Sequence, residues 1–348
     1  MKKTLNIMLL LAIVVMASCS SDDDEFSYFN QDINSSGNLG NGNENGGDDT
    51  PSNYVVNPDV TVYVDKNGET AYIPGDFAVS DDQYEQTIKT GLVVIGPDGS
   101  EFVWVPTTET ALTRRDFKSY YSGSSFSTYW DDTDLPAYKA MTESVNLYGG
   151  FYMGRYEASY ASGAKLSDYT PASKPVTQDK PGRIWVQFSP QDATVACENL
   201  YSDNPTVQGF FPWGVNWDTT LQWIIDSGSK TWDDIAVNST SWGNYSDDSF
   251  SPNARGNYTG AFEQAKANNI YDMAGNNWEW TQERQGSSNY AMRGGGYNLM
   301  GGSCSGGRFP AALRNSLPGN DHHPNVCFRV ALYLIPGNEP TDIKQVTM

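Results

Sequence analysis

The sequence predicts an α+β domain with few helices, short strands and long irregular loops. Three observations lead there. Short apolar runs are broken at frequent intervals by Gly, Pro, Asn and Asp; only two stretches carry helical spacing; and two long segments, 239–260 and 286–324, are rich in Gly, Ser, Asn and Tyr without any period. Irregular chain of that length inside a packed domain is usually functional. With 348 residues, 38% hydrophobic and 13% aromatic, the chain has ample material for a core. Its net charge of −20 would repel phosphate backbones, which excludes nucleic acid as a partner.

The chain opens on a targeting segment. Lys2 and Lys3 precede an apolar stretch, residues 7–16, too short to span a bilayer. Met16-Ala17-Ser18-Cys19 resembles a bacterial lipobox, so residues 1–18 are expected to be a lipoprotein signal peptide and Cys19 the lipidated residue. The following Ser20-Ser21-Asp22-Asp23-Asp24-Glu25 resembles the export tag of Bacteroidetes-type lipoproteins. The resemblance implies an outer-membrane lipoprotein facing the cell exterior, with the lipid as its contact to the membrane. Residues 19–53, acidic and Gly/Asn-rich, cannot bury enough apolar area to order themselves and read as a tether.

A β-rich extension, 54–145, follows. Residues 55–64 alternate apolar and polar side chains as a half-buried strand does, and Gly96-Pro97-Asp98-Gly99 between two apolar runs predicts a hairpin over 91–105. The main domain is placed at 146–335, with a tail at 336–348. It starts with a strand, Gly150-Phe151-Tyr152-Met153-Gly154. Ser189 and Pro190 then mark a helix start, and Ala193, Ala196, Cys197, Leu200 and Tyr201 form one helical face, which makes Cys197 a core residue. A second helix near Asp218 carries Leu221, Ile224 and Ile225.

Three blocks carry the most specific signal: Asn269-Ile270-Tyr271-Asp272-Met273-Ala274-Gly275-Asn276-Asn277-Trp278-Glu279-Trp280, Met292-Arg293-Gly294-Gly295-Gly296-Tyr297 and Cys327-Phe328-Arg329. Together they resemble the sulfatase-modifying-factor, or formylglycine-generating-enzyme-like, family. The resemblance spans about 149–334. It implies a C-type-lectin-like (formylglycine-generating-enzyme-type) fold with two helices, small twisted antiparallel sheets and much irregular loop.

Catalytic members of that family oxidise a sulfatase cysteine to formylglycine with copper held by two cysteines, five residues apart. Here Cys304 falls on the first position, Phe309 on the second, and Cys327 replaces a family Gly. A linear two-thiolate copper site cannot form on that pattern. The expectation is therefore a non-catalytic binding module that requires no cofactor, with a formylglycine-generating oxidase using Cys304 as the alternative and a scaffold without a dedicated ligand as a third reading. The family also binds calcium near its Trp block. Asn276, Asn277 and Glu279 are the candidate ligands here, with hydrogen bonding to irregular backbone as the competing use.

Between Gly294 and Cys327 there is no Lys, Glu, Gln or Trp. That composition resembles the variable region of diversity-generating retroelement target proteins, and Tyr, Asn, Ser and Arg are what binding loops favour. Tyr297, Asn298, Arg314, Asn320, His322 and His323 are the expected ligand-binding residues, and an extracellular protein or glycan is the expected partner.

Overall fold

A computed structural model describes residues 54–121, 123–161, 170, 173–178, 183–246, 258–299 and 309–338. Cys19, the tether, Cys304 and most of the 336–348 tail lie outside them. Among the described residues there are four α-helices: α1 (Pro136–Tyr148), α2 (Pro190–Asn199), α3 (Gly214–Asp226) and α4 (Trp232–Ala236).

A six-stranded antiparallel sheet organises the molecule. Its strands run, across the sheet, Ala78–Val79, Val93–Ile95, Glu101–Pro106, Gly150–Gly154, Ala331–Leu334 and Val207–Phe210. Successive side chains of a strand point to opposite faces, and here both faces are buried. Phe102, Trp104, Tyr152, Leu332 and Leu334 enter one hydrophobic cluster with Trp185, Trp280 and Phe328. Val103, Val105, Phe151, Met153 and Ala331 enter a second with Trp213, Trp217 and Trp242. The anticipated hairpin is present, with Gly99 at φ +81° in its turn, where a side chain would be strained. It pairs directly with the Gly150–Gly154 strand, so the 54–145 segment contributes to the same sheet as the Ala331–Leu334 strand.

A second, smaller sheet holds the loop region. Trp278–Gln285 pairs antiparallel with Asn289–Arg293, which pairs with Asn315–Pro318; Val326–Cys327 joins in parallel, and Tyr129–Trp130 adds a short edge. The outermost pairing joins Tyr54–Val55 to Gly337–Asn338, placing the two ends of the described domain side by side.

The α+β class and the small antiparallel sheets are as anticipated, but the helices are more numerous than the two expected. The first expected helix begins as read: Ser189 accepts from the Asp192 amide and Asp192 returns the bond. The second starts four residues before Asp218, at Gly214, because the Asn216 side chain accepts from the Trp213 amide. Helix α1 was not anticipated, although Pro136 at its start and Gly149 (φ +77°) past its end are helix punctuation. Its buried face is Met141, Ser144, Val145 and Tyr148, and the Ser breaks the apolar stripe that periodicity would detect.

Candidate functional site

The Trp block folds as a turn followed by a strand. Gly275 takes φ +73° and a Cβ there would lie 2.2 Å from the Asn244 carbonyl oxygen, so only Gly fits. Asn276 follows at φ +57°. Its carboxamide donates to Glu157 and accepts from Asn244 Nδ2 at 2.9 Å, while its carbonyl accepts from the Tyr297 amide at 2.7 Å. The turn thereby holds the first residue of the loop beyond the glycines.

Trp280 is buried, donating through Nε1 to the Phe188 carbonyl at 3.1 Å. Trp278 packs edge-on against Phe309 with ring centroids 5.7 Å apart. The second cysteine position of the oxidase pattern is thus a core aromatic, which also stacks with Tyr121. Gly295, at φ +79°, lies where a Cβ would meet the Phe309 carbonyl oxygen at 2.4 Å, which explains the second glycine after Arg293.

Two buried ion networks clamp the loop ends. Arg293, at the end of its strand, donates to Asp218 at 2.7 Å and Glu283 at 3.2 Å. Arg314, which opens the returning strand, donates to Glu283 at 2.9 Å and also pairs with Asp218. Arg114 reaches Glu283 at 2.6 Å. Burial alone would raise the Glu283 carboxyl, but Arg314, Arg293 and Arg114 together hold it down, to about 2. Neighbouring Asp131 caps helix α3, accepting from the Gly214 and Val215 amides at 2.9 and 2.8 Å. Burial, then the Glu283 charge, pushes it up to about 7. The second clamp is Arg329, which donates to both Glu279 oxygens at 2.5 and 3.1 Å and to the Gly154 and Tyr271 carbonyls at 2.9 Å each.

These positions correct one expected ligand-binding residue. Arg314 is fully buried, and its guanidinium is consumed by two carboxylates and the Arg115 carbonyl; it frames the loop and does not face solvent. The expected calcium ligands are also engaged elsewhere. Asn276, Asn277 and Glu279 are buried, Glu279 is spent on Arg329, and the Asn276 oxygen on Asn244. A hard cation needs several free oxygens, which this set does not present. Among the described residues no group of three or more His, Cys, Asp or Glu side chains is arranged to hold a metal.

The remaining loop residues fall into two groups. Tyr297 is half-buried and Asn298 exposed, beside the Asn276 turn. Asn320 and His322 are exposed and His323 half-buried; His322 Nδ1 lies 3.2 Å from the Gln187 carbonyl, and the His323 carbonyl accepts from the Gln187 amide at 3.3 Å. Tyr121, 44% exposed, joins the Phe309 side of the loop and was not anticipated, because nothing in its local sequence marks a partner so far along the chain. Cys197 and Cys327 are both free and buried, Cys197 in the core as expected.

A Trp-block turn, an Arg-Gly-Gly strand end and a buried closing Arg thus frame one long loop within an α+β domain. Residues 204–334 match the family model of the sulfatase-modifying factor enzyme 1-like domain. No curated protein matches the chain. Among solved structures, the chain is similar to Treponema denticola variable protein 1, at 13% identity and TM-score 0.37 over 66% of this chain and 95% of that one. It is similar to PvdO from Pseudomonas aeruginosa at 17% identity and TM-score 0.41, over 70% and 98%. It is also similar to CarF at 16% identity and TM-score 0.35, over 53% and 86%.

Proposed function

We propose that this protein is a surface-displayed lipoprotein whose sulfatase-modifying-factor-type domain binds an extracellular protein or glycan through the loop between Gly296 and Val326, and that it is not an oxidase. One observation carries the reading: fully buried ion pairs hold Arg293 before the loop and Arg314 within it on Asp218 and Glu283, and Arg329 beyond it on Glu279, while Asn298, Asn320 and His322 are exposed. A rigid frame with a solvent-facing polar loop suits recognition, because ordering costs are met by the frame before binding. Against oxidation stands Phe309, which fills the second cysteine position with a side chain packed on Trp278. Binding through these residues requires no cofactor.

The test uses the purified protein on an array of glycans and extracellular proteins, with a variant in which Asn298, Asn320, His322 and His323 are all Ala. Binding that the variant loses, with melting unchanged, supports the loop as the site. Incubation with copper, oxygen and a Cys-x-Pro-x-Arg peptide should leave the peptide mass unaltered; a mass loss matching cysteine-to-aldehyde conversion would overturn the reading.

A further inference from the structure

One row of side chains crosses the smaller sheet away from the exposed loop positions. Arg284 is the register partner of Trp130 on one neighbouring strand and of Tyr290 on the other. Directly opposed residues of antiparallel strands share a face, so the row reads Trp130, Arg284, Tyr290. Glu283, one position earlier, is consumed by Arg114, Arg293 and Arg314 and forms no pair with Arg284.

Two members of the row are open to a ligand. Trp130 is 41% exposed, and among the described residues its ring stacks on no other aromatic. Arg284 is half-buried, with its guanidinium 3.9 Å from the centre of the Tyr290 ring, and it joins no ion pair among the described residues. Tyr290 is seated in turn on Gly319, where a Cβ would lie 2.7 Å from the ring. Stacking engages the flat face of a guanidinium and leaves its in-plane N–H fork available. The arginine is therefore held by a ring and not by a carboxylate, and a fork fixed in advance loses less entropy on meeting one. Arg114, Arg293, Arg314 and Arg329, by contrast, already carry carboxylates. The acids that follow Trp130 are engaged in their own contacts. Asp131 caps α3, Asp132 accepts from the Asp134 amide at 3.3 Å, and Asp134 lies 3.7 Å from Lys139.

We infer that Trp130 and Arg284 bind an acidic sugar, its carboxylate on the Arg284 fork and the apolar C–H face of its pyranose ring on the exposed Trp130 indole. An aromatic face beside a bidentate cation selects a ligand that is flat and apolar on one side and ionised at its rim. A flexible acidic peptide offers the charge without the flat face. This site stands whether or not the loop binds, since neither residue is among the loop positions proposed above.

The experiment is ligand-observed NMR on the full-length protein with methyl glucuronide, its methyl ester, methyl glucoside and an Asp-rich peptide as probes. The glucuronide should bind saturably, and the ester and the glucoside at least several-fold more weakly. Arg284→Met should weaken the glucuronide about tenfold or more with melting unchanged, the loss expected of a charge-assisted hydrogen bond. Arg284→Lys, which keeps the charge without the fork, should restore only part of it. Trp130→Ala should weaken the glucuronide by a similar factor, while Trp130→Phe, which keeps a ring, should retain most of the binding. A protein with Asn298, Asn320, His322 and His323 all Ala should bind the glucuronide as wild type does; loss of binding there would move the site to the loop and overturn the assignment. Equal binding of acid and ester, normal binding by Arg284→Met or Trp130→Ala, no saturable binding, or preference for the peptide would each overturn it as well.

Discussion

Arg314 illustrates how far a residue's role depends on what surrounds it. Its place in a polar, Gly-rich stretch reads as a surface contact, yet the guanidinium sits at zero exposure between Asp218 and Glu283. Removing one partner of a buried ion pair typically costs about 3–5 kcal/mol, because the other charge is stranded. Arg314→Met should therefore lower the melting temperature strongly in a thermal scan; melting within about 0.5 kcal/mol of wild type, the range of an ordinary surface change, would contradict the network. Trp280→Ala should be comparably severe, at about 3–5 kcal/mol, since it empties a core site and orphans the Phe188 carbonyl. Glu283 and Asp131 give the network a pH signature. Glu283 has its folded pKa lowered, so its stabilisation is present above about 4.5 and is lost as pH falls toward 2. Asp131 has its folded pKa raised, so the folded state retains a proton that the unfolded state releases, and stability falls as pH rises from about 4 to 7. Melting temperature against pH should peak near the junction of those windows. Asp131→Asn should flatten the decline between pH 4 and 7, and an unchanged slope would remove Asp131 as its source.

At the scale of elements, what was legible followed from local rules. The 91–105 hairpin announces itself by its turn residues, and α2 by a capping box, because both depend on neighbours a few positions away. Helix α3 was legible in its apolar face but not in its start, since a distant carboxylate, Asp131, satisfies its first amides. Helix α1 had both punctuation residues and a weak stripe, with Ser144 inside the buried face. The loop between the clamps is the complementary case. Its exposed Asn298, Asn320 and His322 lie outside the framing ion pairs, so replacing each by Ala should change stability by no more than about 0.5 kcal/mol in a denaturant titration. A loss of several kcal/mol at any of them would make that residue part of the frame.

For the whole molecule, the proposed surface display rests on residues 16–25, which lie outside the described part of the chain. No helix among the described residues is long and apolar enough to cross a membrane. If Cys19 carries the lipid, Cys19→Ser should release soluble protein in a membrane fractionation, and protease added to intact cells should remove the wild-type domain; complete protection would refute outward display. The sequence alone determined the α+β class, the family resemblance and the structural weight of the Trp block, because turn glycines, helix caps and large aromatics act through short-range geometry and burial. Only the tertiary structure decided which polar residues are interior. Asp131, Asp218 and Glu283 carry no local mark of burial, and Arg314 stands in a polar, Gly-rich stretch, until the fold brings them together around Arg293. A charge is tolerated inside only when a partner is there to receive it, and for Arg114 that partner, Glu283, lies 169 positions along the chain, a distance no local pattern can register.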